Sequence, residues 1–99
     1  MQQQLERLAG RGIEVAPMPG IKGFALCARG EFGALVAVSE AGFGQIGSTG
    51  LITPRGLAVL VWRGESALFV GKGGETPAGA EQVEALRKFS SDLRQALEP

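Results

Sequence analysis

One short pattern occurs twice in the sequence and constrains the fold more than any other feature. The first copy places Arg29-Gly30-Glu31 between two apolar runs, Phe24 to Ala28 and Ala34 to Val38. The second copy places Arg63-Gly64-Glu65 between Ala58 to Trp62 and Ala67 to Val70. Glycine followed by any residue suits the two central positions of a type II′ turn, so both copies predict β-hairpins. In the first copy the additional Gly33 indicates a bulge or a longer loop. The similarity of the two copies fits either shared turn chemistry or a duplication.

Helical patterns flank the two hairpins. Residues 2–10 place Leu5, Leu8 and Ala9 on one face, which predicts a short helix. Near the carboxyl end, Thr76 is a candidate N-cap and Pro77 a candidate first helical residue. An apolar stripe at helical spacing then predicts a long helix, with members Ala85, Leu86, Phe89, Leu93, Ala96 and Leu97.

These elements predict a single α+β domain over residues 1–99. Its antiparallel sheet would have four to five strands built from the two hairpins, with a short N-terminal helix and a long C-terminal helix. The fifth strand rests on the weak alternation from Ile13 to Val15, which Pro17 and Pro19 cut short before a turn at Pro19-Gly20.

The segment between the hairpins is rich in glycine. Glycines at 42, 44, 47, 50 and 56 argue against a long helix and favour a loop over residues 42–56. Gly42 to Gly47 fits the letters of the dinucleotide-binding pattern, but the residues that follow do not open a helix, so a connector is favoured. Backbone amides in this loop would offer a small anion a cradle, and the candidate ligand residues are Gly44, Gly47, Ser48 and Thr49.

Composition excludes several kinds of chemistry. The chain has no histidine and no tyrosine, and Asp92 and Cys27 are its only aspartate and cysteine. These absences exclude a histidine-based catalytic triad and a zinc site of the usual type. Cys27 lies within an apolar strand pattern and is predicted to be a buried structural thiol. The sequence therefore predicts no catalytic residue, no metal and no cofactor, and the protein is expected not to be an enzyme.

Charge and hydropathy limit the partners and the location. Ten basic residues balance ten acidic residues, so no net field favours nucleic acid. The longest apolar run, Leu57 to Trp62, is far shorter than the roughly 20 residues of a membrane span. Residues Met1 to Arg7 lack the apolar stretch of a secretory signal. We therefore expect a cytoplasmic protein that binds neither nucleic acid nor membrane.

The strands themselves carry the main functional indication. Leu57 to Trp62 and Ala34 to Val38 are apolar at successive positions, so both faces of the sheet need cover. Two helices of the predicted lengths cover one face, which leaves the other to the glycine-rich loop, to a partner protein or to a second copy. We therefore predict a non-catalytic, homodimeric interaction or scaffold module, with candidate interface residues Leu57, Val59, Val61 and Trp62. The alternative is a small-molecule or anion sensor that uses loop 42–56.

The run from Pro19-Gly20-Ile21-Lys22-Gly23 through Phe24-Ala25-Leu26-Cys27-Ala28-Arg29-Gly30 resembles the roadblock (dynein light chain) family. Members often have an amphipathic helix, here Leu5 to Leu8, before a Pro-Gly-Val-x-Gly entry into a hairpin. The apolar hairpin from Leu57 to Val70 and the helix after it are also similar to that family. The resemblance implies a profilin-like sheet flanked by helices, a homodimer, and a scaffold or regulator of Ras-like small GTPases. The family has a substantial helix where this chain has residues 41–56.

Overall fold

The computed structural model describes residues 2–17 and 22–98 of the chain. Along the chain, one helix precedes and one helix follows seven strands. The elements are α1 (Gln2–Gly10), β1 (Glu14–Pro17), β2 (Phe24–Arg29), β3 (Phe32–Ser39), β4 (Gly42–Thr53), β5 (Gly56–Arg63), β6 (Ser66–Gly71), β7 (Gly74–Pro77) and α2 (Ala80–Leu97). The turn predicted at Pro19-Gly20 lies outside the described residues, as does part of the entry segment that resembles the roadblock family.

The strands form one antiparallel sheet in which each strand pairs with the next along the chain, in the order β1 to β7. The prediction of four to five strands built from two hairpins is therefore wrong, although the α+β class and the two flanking helices are present. The extra strands are β4 and β7, and each continues the meander through a short turn. Sequential antiparallel pairing needs only such short connections.

Both Arg-Gly-Glu segments form the predicted hairpin turns. Arg29 pairs with Phe32 and Arg63 pairs with Ser66, so each turn has two central residues, a glycine and a glutamate. Gly30 and Gly64 have φ values of 61° and 62°, which an L side chain rarely adopts. The bulge predicted at Gly33 is absent, because Gly33 pairs regularly with Ala28.

The glycine-rich segment is the largest departure from the sequence-based expectation. It forms the twelve-residue strand β4 and its turn into β5, where a loop over 42–56 was expected. The pairing of β4 with β3 shifts register between Ala34 and Val36 and again between Val36 and Val38. Register shifts of this kind bend a strand and increase its twist. The small residues of β4 therefore belong to a bent central strand.

The long helix α2 begins later than predicted. Its first residue is Ala80 and its N-cap is Gly79, whose N–H donates to Oε1 of Gln82 at 3.0 Å. Thr76 and Pro77 lie in β7, opposite Phe69 and Leu68, so their prediction as the helix start is wrong. Pro77 is tolerated because β7 is an edge strand with one paired side. The prediction of a helix over residues 2–10 is confirmed by α1.

Both helices lie on the same face of the sheet. Leu8 of α1 and four residues of α2 pack on inward side chains of the strands, and the α2 residues are Leu86, Phe89, Leu93 and Ala96. The sheet coils so strongly that the rings of Phe32 in β3 and Phe69 in β6 lie 6.3 Å apart, although two strands separate them. Because of this coiling, two helices suffice to complete one core. No helix within residues 2–17 and 22–98 is long and apolar enough to cross a membrane.

Candidate interaction surface

In the part of the chain that the structure describes, the second face of the sheet carries no helix. Register and alternation along the strands place one set of apolar side chains on this open face: Phe24, Leu26, Leu35, Ile52, Leu57, Val59, Val61, Leu68 and Val70. Phe24 is 41% exposed, and Ile52, Val59 and Val61 are 37%, 38% and 37% exposed. Monomeric proteins rarely expose a continuous apolar surface of this extent unless it binds something.

Among residues 2–17 and 22–98, charged side chains lie only at the margins of the open face. The alternation of β1 places Glu14 at one end of the sheet, and the alternation of β5 and β7 places Arg63 and Glu75 near the other. Arg63 and Glu75 form a salt bridge with each other, so they neutralise one another across β6. The open face is consequently uncharged at its centre and nearly neutral at its rim, which favours an apolar and uncharged partner.

The four residues predicted to form an interface lie on two different faces. Leu57, Val59 and Val61 are on the open face, where they flank Ile52 and Val70. Trp62 alternates to the helix side of β5, where it is 55% exposed beside α2. Phe24, Leu26, Leu35, Leu68 and Val70 of the open face were not singled out from the sequence, although the alternation of their strands carries that signal.

The four predicted ligand residues all lie on β4. Gly44, Gly47 and Ser48 are exposed and Thr49 is partly buried. They follow an extended strand that pairs with β3, so their amides do not converge around a point as the amides of a phosphate-binding loop do. The predicted cradle in loop 42–56 is therefore wrong in its structural premise.

The single aspartate has a structural role at the carboxyl half of α2. Asp92 accepts a hydrogen bond from Nη1 of Arg29 at 2.9 Å, and Nη1 of Arg11 lies 3.6 Å from its other oxygen. The Arg29 guanidinium also lies 5.6 Å from the ring centre of Phe89, a cation–π distance. A cavity of 690 Å³ borders this group, and its charges are of both signs. These contacts tie β2 to α2 and to Arg11, the residue after α1.

The only thiol is held inside the core. Cys27 has no exposed surface, and burial raises the pKa of its thiol to about 11. A thiol with a raised pKa is a poor nucleophile at neutral pH, because the thiolate is the reactive form. Within the described ranges, 2–17 and 22–98, no group of three or more acidic, cysteine or histidine side chains is placed to hold a metal ion.

The raised pKa of Cys27 predicts a loss of stability in alkaline solution. Below its ordinary pKa of 9.0 the thiol is protonated in both folded and unfolded chains. Its full contribution to the free energy of unfolding is therefore present there. Between pH 9 and 11 the unfolded thiol ionises first, and the free energy of unfolding should fall by about 2 kcal/mol. Urea titrations across this range should show a smaller fall for Cys27→Ala. Equal falls in the free energy of unfolding of both proteins would contradict the attribution of this loss to Cys27. Because the chain has no tyrosine, lysines are the main other side chains that titrate here, and both proteins share them.

No family model, curated protein or solved structure matches this chain.

Proposed function

We propose that this chain is a non-catalytic interaction module that forms a homodimer through the open face of its sheet. The observation that carries the proposal is the apolar, unpaired surface on strands β2 to β6, opposite the helices. In the dimer two such faces would pack on each other as the two sheets of a β-sandwich do, about 10 Å apart. A cytoplasmic location belongs to the same proposal.

The dimensions of the molecule support the proposal that a further layer covers the open face of the sheet. The molecule measures 39 × 27 × 20 Å, and its shortest extent accommodates one sheet and one layer of helices. Its accessible surface is 6309 Å². A compact monomer of 10.3 kDa is expected to expose about 5400 Å². The excess of roughly 900 Å² is close to the roughly 800 Å² that each partner buries in a standard interface.

A second copy fits this surface better than a charged partner does. Isologous dimers bring the same patch of both subunits together, so a patch must complement itself. A patch with an apolar centre and a neutral rim satisfies this condition, because no like charges meet at its centre. The Ras-like small GTPase implied by the roadblock resemblance stays a prediction for a further partner.

The proposal includes no catalytic role because of where the candidate catalytic side chains lie. Cys27 is buried and its pKa is raised, and Asp92 is held between two arginines. With neither histidine nor tyrosine in the chain, any general base would come from glutamate or lysine.

Isotope-filtered NMR on mixed chains tests the proposed dimer. A sample of one labelled and one unlabelled population should show contacts between chains for the methyl groups of Val59 and Val61. Methyl groups of the helix-side core, such as Leu93, should show contacts only within one chain. Cross-chain contacts confined to the helix side would contradict the proposal.

A further inference from the structure

Strands β4 and β5 separate partway along their length. These strands pair only from Gly50 to Thr53 in β4 and from Gly56 to Val59 in β5. Residues 42–49 therefore have strand partners on β3 alone, and residues 60–63 have partners on β6 alone. The sheet consequently contains two inner strand edges whose backbone groups face a gap. Unpaired strand edges readily accept a further strand.

The contacts of Gln4 show that the β4 edge accepts an amide. The Gln4 side chain accepts a hydrogen bond from the Phe43 N–H at 3.1 Å and donates one to the Phe43 carbonyl at 3.3 Å. A side-chain amide from α1 thus occupies the place of a neighbouring peptide group at one position of this edge. The rest of the edge, from Gly44 to Thr49, has no strand neighbour on that side.

The gap opens into a cleft between β5 and α2, which we call the β4–β5 cleft. Its cavity has a volume of 460 Å³, within the range of known binding pockets. Apolar lining comes from Val59, Leu60, Trp62, Val83 and Leu86. The exposed indole of Trp62 is an unusual feature, because tryptophan is concentrated at binding sites that bury it on association.

The charge of the cleft is positive. Arg87 and Arg94 line it from α2 together with the hydroxyl groups of Thr49, Ser90 and Ser91, and no carboxylate is among the lining groups. Arg87 contacts Glu84 at 3.1 Å, but both side chains are about 70% exposed, so this pair contributes little. The two arginines are seven positions apart, which is about 10.5 Å along the helix.

We propose that the β4–β5 cleft binds an extended acidic peptide by strand addition. Its backbone pairs with the free edge of β5 or β4, alternate carboxylates face Arg87 and Arg94, and Trp62 packs against the same peptide face. Alternate side chains of an extended strand are about 6.6 Å apart, and the long arginine side chains span the remaining distance. Main-chain hydrogen bonds supply affinity in this mode of recognition, while the side-chain positions supply specificity. Most of the cleft lining lies on the helix side, so the site is separate from the centre of the open face, and only Val59 borders both.

The experiment uses the intrinsic fluorescence of Trp62, since the chain has one tryptophan and no tyrosine. A short capped peptide of alternating glutamate and valine is titrated into the full-length chain. We expect a saturable change in Trp62 emission, weakened at least about tenfold in each of Arg87→Gln and Arg94→Gln, as the loss of a charge-assisted hydrogen bond implies. Lys88→Gln removes a neighbouring charge that faces the other cavity, and this control should bind as the unchanged chain does.

Matched ligands separate the possible occupants. A peptide with lysine in place of glutamate, or one methylated at its backbone nitrogens, should fail to bind. No emission change at millimolar peptide would overturn the proposal, as would equal binding of the lysine or methylated peptide. Inorganic phosphate that binds as well as the peptide would show a small-anion site instead. If the emission changes on dilution of the chain alone and the peptide competes with that change, the occupant is a second copy.

Discussion

Val59→Lys is expected to convert the dimer into a folded monomer. Val59 is 38% exposed on the open face, so a lysine extends into solvent from the monomer without disturbing the core. In the dimer, twofold symmetry would bring two unpaired ammonium groups into an apolar interface. Burial of an unpaired charge costs several kcal/mol, so dimerisation should weaken by more than about a hundredfold. Sedimentation velocity at a concentration where the unchanged chain is dimeric measures the effect.

Val15→Lys is the matched control for this prediction. Val15 has nearly the same exposure, 37%, but its pairing with Cys27 places it on the helix side at the edge of the sheet. The same chemical change at this position should leave the sedimentation coefficient at the dimer value. If both variants dissociate, or neither does, the open face is not the dimer interface. Circular dichroism of both proteins establishes that they remain folded.

Gly50→Ala is expected to destabilise the fold more than Gly44→Ala or Gly47→Ala in the same strand. A Cβ at Gly50 would overlap the carbonyl oxygen of Ala58 and lie 2.8 Å from its carbonyl carbon. Backbone atoms cannot rotate away as a side chain can, so the β4–β5 pairing must shift. Overpacking typically costs about 1–3 kcal/mol, and an overlap with fixed backbone atoms places Gly50→Ala at the upper end of that range. Urea unfolding followed by circular dichroism measures the change.

Gly44→Ala serves as the comparison on the same strand. Its Cβ would meet Ala37 atoms at 3.8 Å, an ordinary van der Waals distance. Replacing glycine by alanine in an extended segment also reduces the entropy of the unfolded chain. We expect Gly44→Ala to be neutral or to stabilise by up to about 1 kcal/mol. Similar losses for Gly44→Ala and Gly50→Ala would show that β4 tolerates no added side chain, and would contradict the specific contact with Ala58.

The sequence identified elements wherever the local signal and the tertiary structure agree. The Arg-Gly-Glu turns need glycine at one position, and apolar runs lie on both sides, so local conformation and burial predict the same hairpins. The stripe of α2 likewise predicts its core contacts at Leu86, Phe89, Leu93 and Ala96, which are buried, whereas its predicted member Ala85 is exposed. Such elements depend little on the rest of the chain.

β4 was not predicted because its glycines are needed for close packing against neighbouring strands, and the pattern of a single sequence does not show such contacts. Gly50 allows the close approach of Ala58, and Gly47 lies against the Leu35 carbonyl. From the sequence alone, these glycines indicate a flexible loop. A local signal was nevertheless present, because Gly42 and Gly56 each follow a two-residue turn and have positive φ values of 113° and 118°. A glycine directly after such a turn is typical of the first residue of the second strand in a hairpin.

The candidate interface was predicted in part for a related reason. The apolar run Leu57 to Trp62 correctly indicated a strand with two apolar faces. The sequence interpretation then grouped Trp62 with Leu57, Val59 and Val61, although alternation places it on the opposite face. Arg87 and Arg94 could not be linked to Trp62 from the sequence, since only the packing of α2 beside β5 brings the three together.

Sedimentation equilibrium of the unchanged chain over a range of micromolar concentrations tests the central claim most directly. An uncovered apolar sheet should make the chain associate in pairs, so the fitted mass should approach twice 10.3 kDa and fall on dilution with a single dimer constant. A mass that stays at 10.3 kDa at every concentration would mean that the open face is stable in water, and the proposed homodimer would be wrong.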